Sequence, residues 1–224
     1  MVWRSVVVMG VVVMGVACGP SAARAQVASK EPNKAPEALK VADAHGLKAW
    51  AKVKRVDFTW AHRSGKKRSY TWLVPEQRVI VRGMSSGAPI TIDLKSAHDK
   101  ASPAWHAFIN DSYWLLFELH LAWDSGVTIT SLKGVKPPQG LAASPSLLRV
   151  QYGQVGPTPG DRYDLFIGPD QKSTGWAYHP AGAATPKLIT TRERHVTQAG
   201  VTMPTLFKTP DGKMFIEITK LTVQ

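Results

Sequence analysis

Short runs in which apolar and polar residues alternate recur along most of this chain, and they limit its fold more than any other feature. In the first run, Val56, Phe58 and Trp60 alternate with Asp57 and Thr59. A period of two puts successive side chains on opposite faces of a β-strand. The predicted strands are 56–62, 69–74, 78–82, 89–94, 126–132, 146–152, 161–167, 174–179, 187–196, 201–208 and 213–223. About eleven short antiparallel strands, separated by glycine- and proline-containing turns, predict a β-barrel or part-barrel.

Two segments follow a helical period instead. The first, PEALKVADAHGLKAWAKV, begins with Pro36, which suits the first turn of a helix because no intrahelical partner is lost there. Its small and apolar residues recur at three- and four-residue spacing at Leu39, Ala42, Gly46, Ala49, Trp50 and Val53. The second, SAHDKASPAWHAFINDSYWLLFEL, begins with a serine that can cap a helix and places Trp105, Phe108 and Ile109 on one stripe. We expect an N-terminal helix and a second helix that covers the sheet or fills an open barrel.

The N-terminus has the pattern of a secretory signal. Arg4 precedes an uncharged, valine-rich stretch at 6–17, and Ala23 and Ala25 are the small residues that signal peptidase recognises. The apolar stretch is shorter than the roughly 20 residues that span a bilayer. We therefore predict a signal peptide at 1–25, a flexible polar leader at 26–35 and a single domain at 36–224. The protein is expected to be exported to the periplasm or to associate with the outer membrane, and Cys18 leaves a lipoprotein signal as the alternative.

The charge of the chain favours anionic partners. Its formal net charge of +12 becomes +10 when Arg4 and Arg24 are removed with the signal peptide. A surface of this sign attracts lipid headgroups and other polyanions, and it also keeps a protein soluble. Because the chain is expected to be exported, we predict no nucleic-acid partner, and we expect a monomer.

Four basic residues lie at or beside the turn between the first two predicted strands. Lys66, Lys67 and Arg68 are consecutive, and Arg63 lies just before them. Such a cluster can contact an anionic membrane surface. The alternative is a turn that is simply solvated.

The aromatic residues predict an apolar cavity. The chain has eight tryptophans, and all but Trp3 follow the predicted signal peptide. The expected lining residues are Trp60, Tyr70 and Trp72 on the sheet and Trp105, Phe108, Tyr113, Trp114 and Phe117 on the second helix. The alternative is that these side chains only pack the helix onto the sheet. Arg192 and Arg194 share one face of strand 187–196, so they are expected to point into the cavity and to pair with an acidic residue or an anionic ligand.

No catalytic, metal or cofactor site is predicted. The polar residues His106, Asp111, Glu118, His120 and Asp124 are close in sequence, but they do not form an H-E-x-x-H zinc motif. The chain also has no G-x-S-x-G elbow and no glycine-rich phosphate loop. An exported hydrolase that uses residues 106–124 remains an alternative, and it requires these five side chains to converge in a cleft.

The order of these elements resembles the periplasmic lipoprotein-carrier superfamily, which comprises the Lol-type carriers and their relatives. The resemblance covers most of 36–224, and it is clearest in AWAKVKRVDFTW, INDSYWLLFELHLAWD and DRYDLFIGPDQKSTGWAYHP. These segments are similar to an uncharacterised branch of the superfamily rather than to the carriers themselves.

The resemblance implies an α+β fold that is mainly antiparallel β, an unclosed half-barrel whose open side is capped by helices. It also implies a hydrophobic cavity that shelters acyl chains, with residues 103–118 as a helical lid. The expected function is therefore non-enzymatic binding of a lipid, acyl chain or other amphiphile, for transfer across the periplasm. The second alternative, beside the hydrolase, is a structural envelope protein with a solid core.

Overall fold

The computed structural model describes residues 34–154 and 158–224. The predicted signal peptide, Cys18 and the leader up to residue 33 lie outside these ranges. Within them the helices are α1 (Pro36–Ala44), α2 (Leu47–Trp50) and α3 (Pro103–Trp123). The strands are β1 (Arg55–His62), β2 (Lys67–Leu73), β3 (Arg78–Arg82), β4 (Ile90–Asp93), β5 (Val127–Lys133), β6 (Ser146–Tyr152), β7 (Arg162–Ile167), β8 (Ser173–His179), β9 (Leu188–Thr191), β10 (Val196–Gln198), β11 (Val201–Met203), β12 (Leu206–Lys208) and β13 (Phe215–Val223).

The described strands form two antiparallel sheets and one separate hairpin. The first sheet has the order β12-β13-β1-β2-β3-β4, the second has the order β5-β6-β7-β8-β9, and β10 pairs with β11. The two sheets meet at one seam, where the Glu193 N–H after β9 donates to the Leu206 carbonyl of β12 at 2.8 Å. No ladder joins β4 to β5 among the described residues. The predicted α+β fold, mainly antiparallel β and unclosed, is therefore confirmed.

Two predicted strands are each divided in the structure, which gives thirteen described strands. The run 187–196 is interrupted between β9 and β10, where Arg194 adopts a φ of 54°. A left-handed residue cannot continue an extended ladder. The run 201–208 is interrupted at Pro204, which has no N–H to donate to a neighbouring strand. The two larger sheets together contain eleven of the described strands.

The predicted N-terminal helix is divided at Gly46, which has a φ of 92° and separates α1 from α2. A β-carbon at this position would lie 2.1 Å from the Gly200 carbonyl oxygen in the β10–β11 turn. The close approach of two backbones therefore requires glycine here. The predicted apolar face is also shifted, because α1 buries Ala38, Val41 and Ala42 while Leu39 is 48% exposed.

Helix α3 lies in the centre of the fold. It begins later than predicted, because Ser102 caps it by accepting a hydrogen bond from the Trp105 N–H at 3.1 Å and Pro103 occupies its first turn. Nine consecutive residues, Asp111–Leu119, are buried. Its side chains contact the first sheet through Phe108 and the second sheet through Phe117. Residues 103–110 are more exposed, so this end of the helix borders solvent.

No helix among the described residues is long and apolar enough to cross a membrane.

Candidate functional site

A cavity with a volume of about 300 Å³ lies between the N-terminal half of α3 and strands β7–β9 of the second sheet. It is lined by Trp105, His106, Ile109, Asn110, Tyr113, Trp114, Thr158, Asp161, Tyr163, Trp176, Tyr178 and Leu188. Half of these residues are aromatic. Small-molecule sites in proteins commonly have volumes of roughly 300–1,000 Å³. The cavity can therefore hold a small ligand or one part of a larger one.

Strand alternation builds the floor of the cavity. In the β7–β8 ladder Tyr163 pairs with Tyr178, and Leu165 pairs with Trp176 two residues further along. Residues two apart on a strand face the same side, so these aromatic rings collect on the inner face of the sheet. The Trp176 ring centroid lies 4.9 Å from that of Trp114 and 5.2 Å from that of Tyr163. The floor is therefore a packed aromatic surface.

Polar groups lie at the mouth of the cavity. Asp161 accepts hydrogen bonds from the Tyr178 hydroxyl at 3.0 Å and from the Ala181 N–H at 2.8 Å. His106 and Asn110 are exposed on the first turns of α3. A ligand in this cavity would place its apolar part on the aromatic floor and its polar part near these groups.

A buried ion pair holds α3 against the first sheet beside the cavity. The Arg68 guanidinium donates two hydrogen bonds of 2.7 Å to the Asp111 carboxylate, and the Tyr70 hydroxyl donates a third at 2.6 Å. Burial and the Asp111 charge raise the pKa of Tyr70 well above its ordinary value. Asn110, which lines the cavity, donates to the same carboxylate at 2.9 Å. The pair therefore fixes the rotation of α3 and with it one wall of the cavity.

A second buried ion pair lies beneath the floor. Arg192 donates to the two Glu118 carboxylate oxygens at 2.7 and 2.9 Å and to the Trp114 carbonyl at 3.1 Å. Ser173 also donates to Glu118. Burial alone would raise the pKa of Glu118, but the Arg192 charge and the hydrogen bonds from Arg192 and Ser173 lower it to about 2. The Trp114 carbonyl that Arg192 contacts lies two residues before Leu116, where α3 departs from helical geometry.

A third polar cluster closes the C-terminal end of α3. Asp124 accepts hydrogen bonds from the Tyr113 hydroxyl at 2.8 Å and the Tyr152 hydroxyl at 2.7 Å, and its other oxygen lies 2.8 Å from His120 Nδ1. Burial raises the pKa of Asp124, but His120 and the two hydroxyls outweigh this effect, so its pKa is below the ordinary value. Tyr113 thus has its ring at the cavity and its hydroxyl held by a carboxylate.

Tyr152→Phe is expected to lower the free energy of unfolding by about 1.5–3 kcal/mol, because it removes a hydrogen bond to a charged group. The control is Tyr163→Phe, because the Tyr163 ring packs in the same cluster while its hydroxyl forms no hydrogen bond with the described residues. This control should lose less than about 1 kcal/mol. Urea unfolding followed by tryptophan fluorescence measures both, and equal losses would show that the Asp124 hydrogen bond is not the cause.

The structure brings together only part of the predicted lining. Trp105, Tyr113 and Trp114 line the cavity, and Phe117 lies directly under Trp176, with its ring centroid 5.0 Å away. The remaining predicted lining residues pack elsewhere in the core or at the surface: Trp60 against Arg68, Tyr70 against Phe58, Trp72 and Phe108 against each other, and Arg194 with Glu217 in an exposed ion pair. Arg192 does not line the cavity either: it is buried beneath the floor, where its partner is the acidic residue Glu118.

Sequence reasoning did not assign the second-sheet side of the cavity. Tyr163, Trp176, Tyr178 and Leu188 form this side. The alternation in RYDLFI and STGWAYH indicates a common face for Tyr163, Trp176 and Tyr178, but it does not indicate that α3 leaves space above that face.

The five polar residues of the hydrolase alternative do not converge. Asp111 and Glu118 belong to different ion pairs, His120 and Asp124 form the third cluster, and His106 is exposed at the cavity mouth. In the part of the chain that the structure describes, no group of three or more His, Cys, Asp or Glu side chains is placed to hold a metal ion.

Comparison with known proteins gives similar solved structures but no family. No family model matches the chain, and no curated protein matches it. Among solved structures, a DUF1329 family protein from Desulfovibrio piger is similar, with a TM-score of 0.44 and 11% sequence identity. The match covers 83% of this chain and 92% of that protein. A match at this level assigns no activity, ligand or partner.

Proposed function

We propose that this protein binds a lipid, an acyl chain or another amphiphile in the aromatic cavity, without converting it chemically. The observation that carries the proposal is a cavity of about 300 Å³ with an aromatic floor and a polar mouth. Such a surface favours an apolar chain, because burial of apolar area drives binding while few polar groups lose water. The cavity volume suits one chain, or one end of a longer ligand, better than an entire two-chain lipid.

The state of the polar residues supports binding rather than catalysis. The carboxylates of Asp111, Glu118 and Asp124 are each engaged by at least two donors. For Glu118 and Asp124 these contacts keep the pKa below the ordinary value, whereas a general acid or base works best with a pKa near the working pH. These residues therefore stabilise the fold and position the cavity walls.

The resemblance to the Lol-type superfamily extends this proposal to transfer of the ligand across the periplasm. An unclosed half-barrel with a helix at its open side is the architecture that the resemblance implies. In such a carrier the ligand-bound and empty states differ little in free energy, so that a membrane or partner protein can shift the balance between them. The N-terminal part of α3, residues 103–110, is the segment that would move.

Native mass spectrometry of the protein purified without detergent tests the proposal. A bound mass that disappears after solvent extraction, and that belongs to a lipid or fatty acid, would support it. An empty protein that stays empty after incubation with phospholipids and acylated peptides would contradict it and favour a structural envelope protein.

Ile109→Trp is expected to weaken ligand binding about tenfold or more, because the larger side chain takes up space in the cavity. Leu39→Trp is the matched control, since it adds the same ring at an exposed position on α1. Titration with a fluorescent fatty acid measures both affinities. Equal weakening by the two variants would place the binding site outside the cavity.

A further inference from the structure

The topology of the first sheet gathers three hairpin turns at one end. In the order β12-β13-β1-β2-β3-β4 every strand is antiparallel to its neighbour, and the pairs β12–β13, β1–β2 and β3–β4 are each joined by one turn. The strands β12, β1 and β3 therefore run in the same direction, and the turns that follow them lie at the same end of the sheet. We call this surface, residues 63–67, 83–89 and 209–214, the hairpin end. Arg63 Nη1 joins two of the turns by donating to the carbonyls of Gly212 and Lys213 at 2.8 and 3.0 Å.

The hairpin end is electropositive. Arg63, Lys66, Lys67 and Lys213 are exposed there, and Asp211 is the single acidic residue in the three segments. Arg63, Lys66 and Lys67 form no ion pair with a described residue, and the Lys213–Asp211 pair is long at 3.6 Å. At the opposite end of the same sheet Arg55 pairs with Asp57 and Arg78 with Glu76, while Lys52 and Lys54 are exposed. The hairpin end itself carries four exposed cations against one carboxylate.

Arg68 does not belong to this surface, although the sequence places it beside Lys67. It is buried and paired with Asp111. The Arg68–Asp111 pair instead connects the hairpin end to the cavity, because Asn110 of the cavity wall donates to the same carboxylate. Trp114, another lining residue, packs against Phe207 with ring centroids 5.2 Å apart, one residue before the end of β12. The cavity wall thus contacts residues on β2 and β12 that lie next to the hairpin end.

We propose that the hairpin end docks on an anionic membrane surface and brings the cavity to the bilayer. The cations lie in the β1–β2 and β12–β13 turns and at the start of β2. Neighbouring strands are about 4.8 Å apart, so the cations follow the end of the sheet in a row rather than lining a pocket. A row of cations matches a plane of phosphate groups. Half-buried Met84 and Met214 lie in the same turns and can contact the headgroup boundary. The inference rests on the proposed function, since the cavity's amphiphile is what the contact would deliver or collect.

Vesicle flotation with the full chain tests the inference. The wild type is expected to bind vesicles of equal parts phosphatidylcholine and phosphatidylglycerol, and to bind pure phosphatidylcholine much more weakly. Lys66→Glu with Lys67→Glu should weaken binding to the mixed vesicles about tenfold or more. Lys52→Glu with Lys54→Glu is the matched control, because both lysines are exposed just before β1 at the opposite end of the sheet. This control should bind nearly as the wild type does.

Three outcomes would overturn the inference: equal loss in the two charge-reversal variants, wild-type binding that does not depend on phosphatidylglycerol, or tighter binding to duplex DNA than to the vesicles. If the doubly reversed variant unfolds, the milder change Lys66→Gln with Lys67→Gln should also weaken binding to the mixed vesicles. Native mass spectrometry in vesicle-free solution separates this inference from the proposed function. A variant that keeps its bound ligand in native mass spectrometry but no longer floats with vesicles supports both proposals. A wild type that floats but carries no ligand contradicts only the proposed ligand binding in the cavity.

Discussion

Arg192→Met is expected to lower the free energy of unfolding by about 3–5 kcal/mol, because it leaves the Glu118 carboxylate buried without its counter-charge. Arg192 is 2% exposed and Glu118 is 1% exposed, so water cannot replace the lost partner. The guanidinium also lies over the Trp176 ring at 4.9 Å, and its loss should loosen the cavity floor. Chemical unfolding at neutral pH measures the loss.

Two further measurements separate the buried pair from a general effect of removing arginine. Arg194→Met, two residues along, removes an exposed ion pair with Glu217 and should cost less than about 1 kcal/mol. Adding Glu118→Gln to Arg192→Met should recover part of the stability, because the stranded charge is removed. If both arginine variants lose the same stability, the buried pair is not the cause.

The same pair predicts how stability depends on pH. The pKa of Glu118 is about 2 in the folded protein and 4.5 is its ordinary value, so its stabilising contribution is present above pH 4.5. It is lost as the pH falls from 4.5 towards 2. In Arg192→Met burial raises the pKa of Glu118, and stability should instead increase as the pH is lowered from neutral. Opposite slopes for the two proteins would confirm the assignment, and parallel slopes would contradict it.

Gly46→Ala is expected to lower the free energy of unfolding by about 3 kcal/mol, since left-handed strain and a backbone clash add together. The new β-carbon would lie 2.1 Å from the Gly200 oxygen and 2.9 Å from Val201 Cα. Neither neighbour is a flexible side chain, so α1 and the β10–β11 turn must separate. Thermal and urea unfolding measure the effect.

Gly65→Ala is the matched control for this substitution. Gly65 has a φ of 86°, close to the 92° of Gly46, but nothing lies within 4 Å of its β-carbon position. It should lose only the conformational cost, about 1–2 kcal/mol. A loss at Gly65 as large as that at Gly46 would show that the close contact with Gly200 contributes nothing.

Local sequence patterns predicted most of the strands, because burial of one face imposes a period of two along the chain. They predicted the positions of β1 to β8 and β13 within a few residues. The predicted strand 201–208 did not include the break at Pro204, although proline, which has no N–H to donate to a neighbouring strand, is a signal for such a break in the sequence. The break at Arg194 has no such signal, because a positive φ in an arginine depends on the tertiary contacts around it.

The cavity was harder to predict, because a helix with aromatic side chains on all sides can line a space or fill it. The rotation of α3 is fixed by Arg68, which is 43 residues before Asp111, and by Arg192, which is 74 residues after Glu118. These pairings decide that Phe108 packs on the first sheet while Tyr113 faces the second. The aromatic side chains could be named from the sequence, but their division between core and cavity depends on contacts distant in the chain.

The pairing of β1 with β13 has a consequence for how the chain reaches its native state. Val56 pairs with Val223, so two central strands of the first sheet come from opposite ends of the described chain. Closing so long a loop is entropically costly, and folds dominated by such contacts form slowly. During synthesis β1 and β2 can pair with each other early, but the other side of β1 stays unpaired until β13 has been synthesised. The first sheet is therefore completed only after β13 has been synthesised.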